Sequence, residues 1–149
     1  MLFRSAVPRK NEPAGAIQGW LCRNGTITTL DDALLVTADP KAAKNAKPFL
    51  AKTGLTLKGP VTVVIKADAK VATQGSFSWR TKDQPDFLPA NLVRFAIPAG
   101  ASEQTIALPV EGQAIHVRLN LGDQSAGLRL RSIELRPAKG EADIADFRR

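Results

Sequence analysis

The feature that most constrains the fold is a series of short segments in which apolar and polar residues alternate. In residues 115–121 every odd position is apolar and every even position is polar. The apolar residues are Ile115, Val117, Leu119 and Leu121, and the polar residues are His116, Arg118 and Asn120. Successive side chains of a β-strand point to opposite faces, so this pattern predicts one buried and one solvated face. Strands of that kind are typical of antiparallel sheets.

Similar segments recur along the chain, separated by Gly, Pro, Asn and Asp, which favour turns. They are residues 19–23, 26–30, 33–37, 61–67, 75–80, 91–97 and 104–110. In residues 128–135 the apolar phase changes, which predicts a β-bulge near Arg131 and Ser132 and suits an edge strand that turns a corner. Asn24-Gly25 is typical of a two-residue hairpin turn. Some eight or nine strands with little helix predict an all-β fold, an antiparallel two-sheet β-sandwich of jelly-roll type.

The remaining segments are predicted to be peripheral. Residues 1–18 look like a linker, residues 19–137 form the sandwich, and residues 138–149 form a charged tail. Asp39-Pro40 and the following KAAKNAK predict either a short helix or an ordered loop. The first ten residues lack the apolar run of a secretory signal, which fits a cytosolic protein or a fragment of a secreted one, so the localisation stays open.

Composition excludes several classes of protein. The 149 residues suit one domain, and the 44% hydrophobic and 23% charged content excludes a disordered or coiled-coil chain. A single cysteine excludes an intrachain disulfide and a cysteine-based zinc site. No segment has the length of a membrane span, so no membrane partner is predicted.

The charge balance favours a polyanionic partner. Lys and Arg number 21 against 14 Asp and Glu, a formal net charge of +7. A lysine-rich segment comprises Lys41, Lys44, Lys47, Lys52 and Lys58. Such lysines would supply unspecific charge to nucleic acid, and we favour a solvated loop instead.

The order of motifs resembles a known family of domains. The motifs are Gly19-Trp20, Asp39-Pro40, Gly59-Pro60 before VTVVIKA, Phe77-Ser78-Trp79, Asp86-Phe87 and the closing stretch LPVEGQAIHVRLNLGDQSAGLRLRSIELRP. Over residues 19–137 this order resembles the accessory C-terminal β-sandwich of bacterial sulfatases of the N-sulfoglucosamine sulfohydrolase or arylsulfatase type. It is also similar to jelly-roll carbohydrate-binding and galactose-binding-like modules. The resemblance implies a non-catalytic accessory domain whose partner is a sulfatase catalytic domain.

The catalytic motif of sulfatases is absent from the sequence. It would need Cys or Ser in a C/S-x-P-x-R context, whereas Cys22 is followed by Arg23-Asn24-Gly25. His116 has no orienting carboxylate nearby in the sequence, and Cys22 is predicted to be an inert thiol. We therefore predict no enzymatic activity and no catalytic residues in this chain.

Arginines in the polar phases of the strands are the candidate ligand-binding residues. They are Arg80, Arg94, Arg118 and Arg131, with His116 beside them. Guanidinium forks bind sulfate, carboxylate or phosphate through paired hydrogen bonds. This interpretation requires all four arginines to converge on one face. The alternative is a solvated face with cross-strand partners such as Glu103 and Glu134.

Aromatic side chains would supply the stacking surface of a sugar site. Trp20 and Phe87 are the candidates, with core packing as the alternative for each, whereas the phase of Trp79 predicts a core position. The resemblance also implies a structural calcium, for which Asp31, Asp32, Asp39, Asp83 and Asp86 are candidates. Paired acids at turns are ordinarily turn formers, so we predict no cofactor and no metal.

These observations favour a non-catalytic accessory domain that binds an anionic or sulfated carbohydrate through a basic sheet face. Two alternatives stay open. One is a structural domain that binds no ligand and packs against a catalytic domain or another protein. The other is a general polyanion-binding protein.

Overall fold

The computed structural model describes residues 16–39, 41, 47–122 and 127–148, which form two antiparallel sheets packed face to face. The strands are β1 Leu21–Arg23, β2 Gly25–Thr29, β3 Leu34–Ala38, β4 Phe49–Lys52, β5 Leu57–Lys58, β6 Val61–Ala69, β7 Thr73–Thr81, β8 Leu92–Ile97, β9 Gly100–Leu108, β10 Gln113–Asn120, β11 Leu128–Pro137 and β12 Asp143–Asp146. No helix occurs in these ranges. The prediction of an all-β, two-sheet sandwich is confirmed.

Each sheet is built around one central strand, after which we name it. The β10 sheet has the order β1-β4-β10-β7-β8, and β5 also pairs with β10. The β11 sheet has the order β2-β3-β11-β6-β9, and β12 also pairs with β11. Neighbours along the sheets are thus mostly distant in sequence, as in a jelly roll.

The core lies between the two sheets and follows the predicted phases. In β6, Val61, Val63 and Ile65 are all at most 3% exposed, and the polar phase lies outside. Phe77 and Trp79 of β7 are buried on the other side of the core, at 0% and 2% exposure. The core position predicted for Trp79 is therefore confirmed.

Two bulges keep long strands in phase with the core. In β11 the register shifts between Leu130 and Ser132, as predicted, so that Leu130 and Ile133 are both fully buried. The expectation of an edge strand was wrong, since β11 is central in its sheet. In β10 a shift between Ala114 and His116 puts Ala114 in the core at 1% exposure, in place of the predicted Ile115.

Asn24-Gly25 does not close a hairpin. β1 pairs with β4 whereas β2 pairs with β3, so the chain passes from one sheet to the other at Asn24. Asn24 has a φ of 58°, in the left-handed region. A Cβ atom on Gly25 would lie 2.4 Å from the backbone oxygen of Thr37. Asn24 and Gly25 therefore form the connection between the two sheets. This connection needs a left-handed residue and a residue without a side chain, which are also the requirements of a hairpin turn.

Three strands were not predicted: β4, β5 and β12. β12 lies in the segment expected to be a charged tail; it pairs with β11 and buries Ala145, and Phe147 directly after it is buried as well. Lys52 Nζ of β4 lies 2.8 Å from Asp143 Oδ1 of β12, which joins the two sheets by an ion pair.

The linker prediction for residues 1–15 and the helix or loop prediction for residues 40 and 42–46 lie outside the described residues. Within the described ranges, no helix has the length and apolarity of a membrane span.

Shortening a core side chain of the central strand should destabilise the sandwich. Leu119 is fully buried, so Leu119→Ala removes apolar contacts and leaves a cavity, and we expect a loss of about 2–5 kcal/mol in the free energy of unfolding. Leu88→Ala is the matched control, because Leu88 is 43% exposed and should change the value by no more than about 0.5 kcal/mol. Urea unfolding measures both, and equal losses would contradict the assigned core.

Candidate ligand-binding site

The strand arginines of the β10 sheet lie on its outer face. His116 pairs with Arg80 across β10 and β7, and Ser76 of β7 pairs with Arg94 of β8. Arg118 occupies the same phase of β10 as His116. Four of the predicted binding residues, Arg80, Arg94, His116 and Arg118, are thereby brought to one face of one sheet.

Two short strands complete this face with residues that the sequence interpretation missed. Arg23 of β1 pairs with Phe49 of β4, and Ala51 of β4 pairs with Arg118 of β10. All of these side chains point away from the core. The missed signal was the alternation around Cys22: Trp20 is buried and Cys22 packs against the core, so Leu21 and Arg23 must face outward.

Phe87 covers the guanidinium of Arg118. The Arg118 Cζ atom lies 4.0 Å from the centroid of the Phe87 ring and 5.5 Å from that of Phe49. The ring of Phe87 also meets the His116 ring edge-on, with centroids 4.7 Å apart. These distances suit cation–π attraction, which is stronger where water is excluded. The Arg118 Nε atom is buried with no hydrogen-bond partner in the described part of the chain.

The loop that carries Phe87, residues 82–91, is held by side-chain hydrogen bonds. Gln84 Oε1 accepts hydrogen bonds from the backbone nitrogen of Thr81 at 3.1 Å and from Asn91 Nδ2 at 2.8 Å. Arg80 donates a hydrogen bond to the backbone oxygen of Gln84 at 2.7 Å. The loop is therefore tied to the edge of the sheet, and Phe87 is placed over β10.

A groove of about 250 Å³ runs along β4 on this face. Its floor is the small side chain of Ala51, because longer residues stand on the neighbouring strands. The full lining is Gly19, Leu21, Arg23, Phe49, Ala51, Thr53, His116 and Arg118. The groove thus combines cationic side chains on both long walls with an aromatic ring.

The arginines of this face have no carboxylate partner among the described residues. No ion pair there involves Arg23, Arg80, Arg94 or Arg118. None of the strands of the β10 sheet contains Asp or Glu. The face is therefore a concentrated positive surface.

His116 is electrostatically coupled to this surface. Partial burial, followed by the positive charges of Arg118 and Arg80, lowers its pKa below the ordinary 6.5. The lowered pKa favours the neutral imidazole at pH 7, and the ring contacts Phe87.

Arg131 is not part of this site, so the predicted convergence of Arg80, Arg94, Arg118 and Arg131 fails. The basic face that does form holds the first three together with Arg23, which was not predicted. Arg131 lies on the outer face of the β11 sheet, where its guanidinium nitrogens are 3.6 Å from Asp32 Oδ2 and 3.7 Å from Asp68 Oδ2. Five bases on that face pair with five carboxylates: Lys66, Arg129, Arg131, Arg136 and Arg148 with Asp32, Asp68, Glu103, Glu134 and Asp146. The pairs Lys66–Glu103 and Arg131–Asp68 join neighbouring strands, as in the alternative interpretation.

Trp20 is also excluded from the site. It is fully buried, so the stacking role was wrong and core packing is correct. Its position follows from the isolated bridge with Ile17 that folds the chain inward just before β1. Phe87, the other predicted stacking residue, does lie at the site.

The remaining candidate groups lack the settings of a reactive or metal-binding site. Burial raises the pKa of the Cys22 thiol to about 11. Among the calcium candidates, Asp32 pairs with Arg129 and Arg131. Asp39 and Asp86 each accept a hydrogen bond from a nearby backbone nitrogen. In the described ranges, no three His, Cys, Asp or Glu side chains are grouped as metal ligands.

Comparison with known proteins identifies the fold. No protein-family model and no curated protein matches the sequence. Solved structures do match: a CBM4 structure at TM-score 0.57 and 10% identity, covering 91% of this chain and 90% of that one. The CBM1 of BiXyn10A in its apo form matches at TM-score 0.57 and 10% identity, covering 77% and 82%.

A third similar structure is a carbohydrate-binding module. It is CBM29_1, a family 29 carbohydrate binding module from Piromyces equi, at TM-score 0.53 and 14% identity, covering 76% of each chain. The chain therefore has the jelly-roll β-sandwich fold found in carbohydrate-binding modules.

The pKa of His116 should report the charge of this surface. Arg118→Gln removes a positive neighbour, so the pKa of His116 should rise toward 6.5 in an NMR titration. Because the folded-state pKa is lower than the unfolded one, the unfolded chain binds the proton first, and stability should fall as pH decreases from about 6.5. The variant should lose less stability over that range. Arg129→Gln, on the β11 sheet, should leave the pKa unchanged, and an equal rise there would contradict the assignment.

Proposed function

We propose that this domain binds an anionic carbohydrate through the outer face of the β10 sheet. The observation that carries the proposal is a set of four arginines on one sheet face that have no carboxylate partners in the described chain. Two of them, Arg23 and Arg118, line a groove with an aromatic wall. The fold supports it as well, because similar structures include a family 29 carbohydrate binding module.

The chemistry of the groove favours an anionic ligand over a neutral one. A guanidinium presents a rigid fork of donors that matches the paired oxygens of sulfate or carboxylate. The opposite sheet pairs its bases with carboxylates across neighbouring strands, such as Lys66 with Glu103. On the β10 sheet these carboxylates are lacking, and an anionic ligand would supply the missing charge.

The side chains of the site favour binding without catalysis. His116 has two arginines and a phenyl ring beside it and no carboxylate among the described residues to orient it as a base. The high pKa of the Cys22 thiol opposes a thiolate nucleophile. Recognition at this surface would therefore leave the ligand chemically unchanged.

We also propose that the domain is an accessory part of a sulfatase-type hydrolase. The order of motifs over residues 19–137 supports this, and a sulfated substrate would suit the arginines. A ligand-free structural domain and a general polyanion-binding protein are the competing functions, and the experiments below separate them.

Removing the central guanidinium should abolish most of the binding. In affinity electrophoresis with sulfated and carboxylated polysaccharides, Arg118→Gln should weaken the interaction by about tenfold to a hundredfold, the loss expected for one charge-assisted hydrogen-bond pair. Arg129→Gln changes the net charge equally on the opposite sheet and should bind like the native protein. Equal losses in both variants would indicate unspecific attraction by net charge.

Measurements at raised salt concentration distinguish specific recognition of a polysaccharide from unspecific electrostatic attraction. Specific binding should retain a preference among polysaccharides of equal charge density at raised salt, whereas unspecific binding should disappear uniformly. No retardation by any polysaccharide at either salt concentration would favour the structural domain over the binding function.

The sulfatase association has a genetic test. The DNA flanking this reading frame should encode a sulfatase catalytic domain with its C/S-x-P-x-R motif. A neighbourhood without any sulfatase sequence would contradict the association, and it would leave the binding proposal to the electrophoresis.

A further inference from the structure

The outward positions of the β10 sheet form a row that begins and ends with arginine. Backbone pairing connects one position on each of five strands: Arg23, Phe49, Asn120, Ser76 and Arg94. Arg23 lies on the edge strand β1 and Arg94 on the opposite edge strand β8. Both arginines are exposed, and the residues between them are an aromatic ring and two uncharged polar side chains.

Arg118 lies midway between these two arginines. It stands two residues from Asn120 on the central strand β10, and its guanidinium leans over the ring of Phe49, which belongs to the row. Neighbouring strands are about 4.8 Å apart, so Arg118 is about 10 Å from each edge strand and the edges are about 19 Å apart. The three arginine positions thus follow one another across the sheet at intervals of two strands, with Arg118 displaced from the row by two residues along β10.

Two strand spacings match the length of a disaccharide in a linear polysaccharide. We infer that the ligand is a linear polysaccharide lying across the strands, with anionic groups one disaccharide apart bound by Arg23, Arg118 and Arg94. This inference rests on the proposed function and adds the direction, the minimum length and the charge spacing of the ligand.

The shape of the face fits a chain in this direction. Ser76 and Ser78 are short, and Ala51 forms the floor of the groove, so Phe49 is the one large ring in the row between the two edge arginines. Phe49 lies in this row, and the guanidinium of Arg118 lies 5.5 Å from the centroid of its ring. A ligand along β10 would meet Phe87 at both Arg118 and His116, whereas a ligand across the strands meets it at Arg118 alone.

Hyaluronan oligosaccharides test the spacing, because they carry one carboxylate on every second sugar. A disaccharide has one carboxylate, a tetrasaccharide two and a hexasaccharide three. Calorimetric titration at a single physiological salt concentration should show an affinity that rises by about tenfold at each step up to the hexasaccharide, as each arginine gains a charge-assisted partner. An octasaccharide should add little, since the row has no fourth arginine.

Variants of the two edge arginines test whether these residues bind the outer carboxylates of the hexasaccharide. Arg23→Gln and Arg94→Gln should each reduce the affinity of the hexasaccharide to that of the tetrasaccharide, and should change tetrasaccharide binding by no more than about twofold. The double variant should bind the hexasaccharide no better than a disaccharide. Arg129→Gln should change none of these values. Circular dichroism and urea unfolding of the exposed-site variants control for folding.

The outcomes separate this inference from the proposed function. A plateau at the disaccharide, or edge variants that bind the hexasaccharide normally, would overturn the spacing and leave binding at Arg118 intact. Affinity that continues to rise with every added disaccharide would also overturn it. If no anionic polysaccharide or oligosaccharide binds at all, both the function and the spacing are wrong.

Discussion

The packing of strand β10 between the two layers is the constraint on which the site depends. Val117 and Leu119 are 1% and 0% exposed, and Arg118 stands between them on the opposite face. A one-residue slip of the strand would bury the guanidinium and expose both apolar side chains, which costs several kcal/mol. The core therefore fixes the register of the ligand-facing residues on β10, and through backbone pairing it fixes those on β4 and β7.

The two outer faces use the same basic residues in opposite ways. On the β11 sheet, Arg131 lies between Asp32 and Asp68, and each charge is satisfied within the protein. On the β10 sheet, Arg118 is held by aromatic rings, which attract the cation without neutralising it. The formal charge of +7 does not distinguish these arrangements, whereas the position of the carboxylates does.

The sequence predicted most of this architecture wherever long strands alternate. The phases of residues 75–80 and 91–97 placed Arg80 and Arg94 correctly, and the change of phase in residues 128–135 predicted the bulge of β11. Pairing between strands was not predictable, because alternation gives the face of a residue and carries no information on its sheet. Arg131 was assigned to the wrong face for this reason.

Short strands were also difficult to predict from the sequence. β4 has four residues and no regular alternation, yet it supplies the floor and the aromatic wall of the groove. Its strand conformation depends on the partners β1 and β10, which are remote in the sequence. Residues 19–23 were predicted to be a strand, but Arg23 was not assigned to the basic face, because only the pairing of β1 with β4 brings it there.

The contact between Phe87 and Arg118 lowers the entropic cost of binding a ligand at Arg118. A free arginine side chain loses about 1.5–2 kcal/mol of rotamer entropy when it is immobilised. For Arg118 this loss has already occurred in the folded protein, since the ring lies 4.0 Å from its guanidinium carbon. Arg23 and Arg94 are exposed and still have that freedom to lose. A ligand group should therefore cost less conformational free energy to bind at Arg118, in the centre of the sheet, than at the exposed arginines of the two edges.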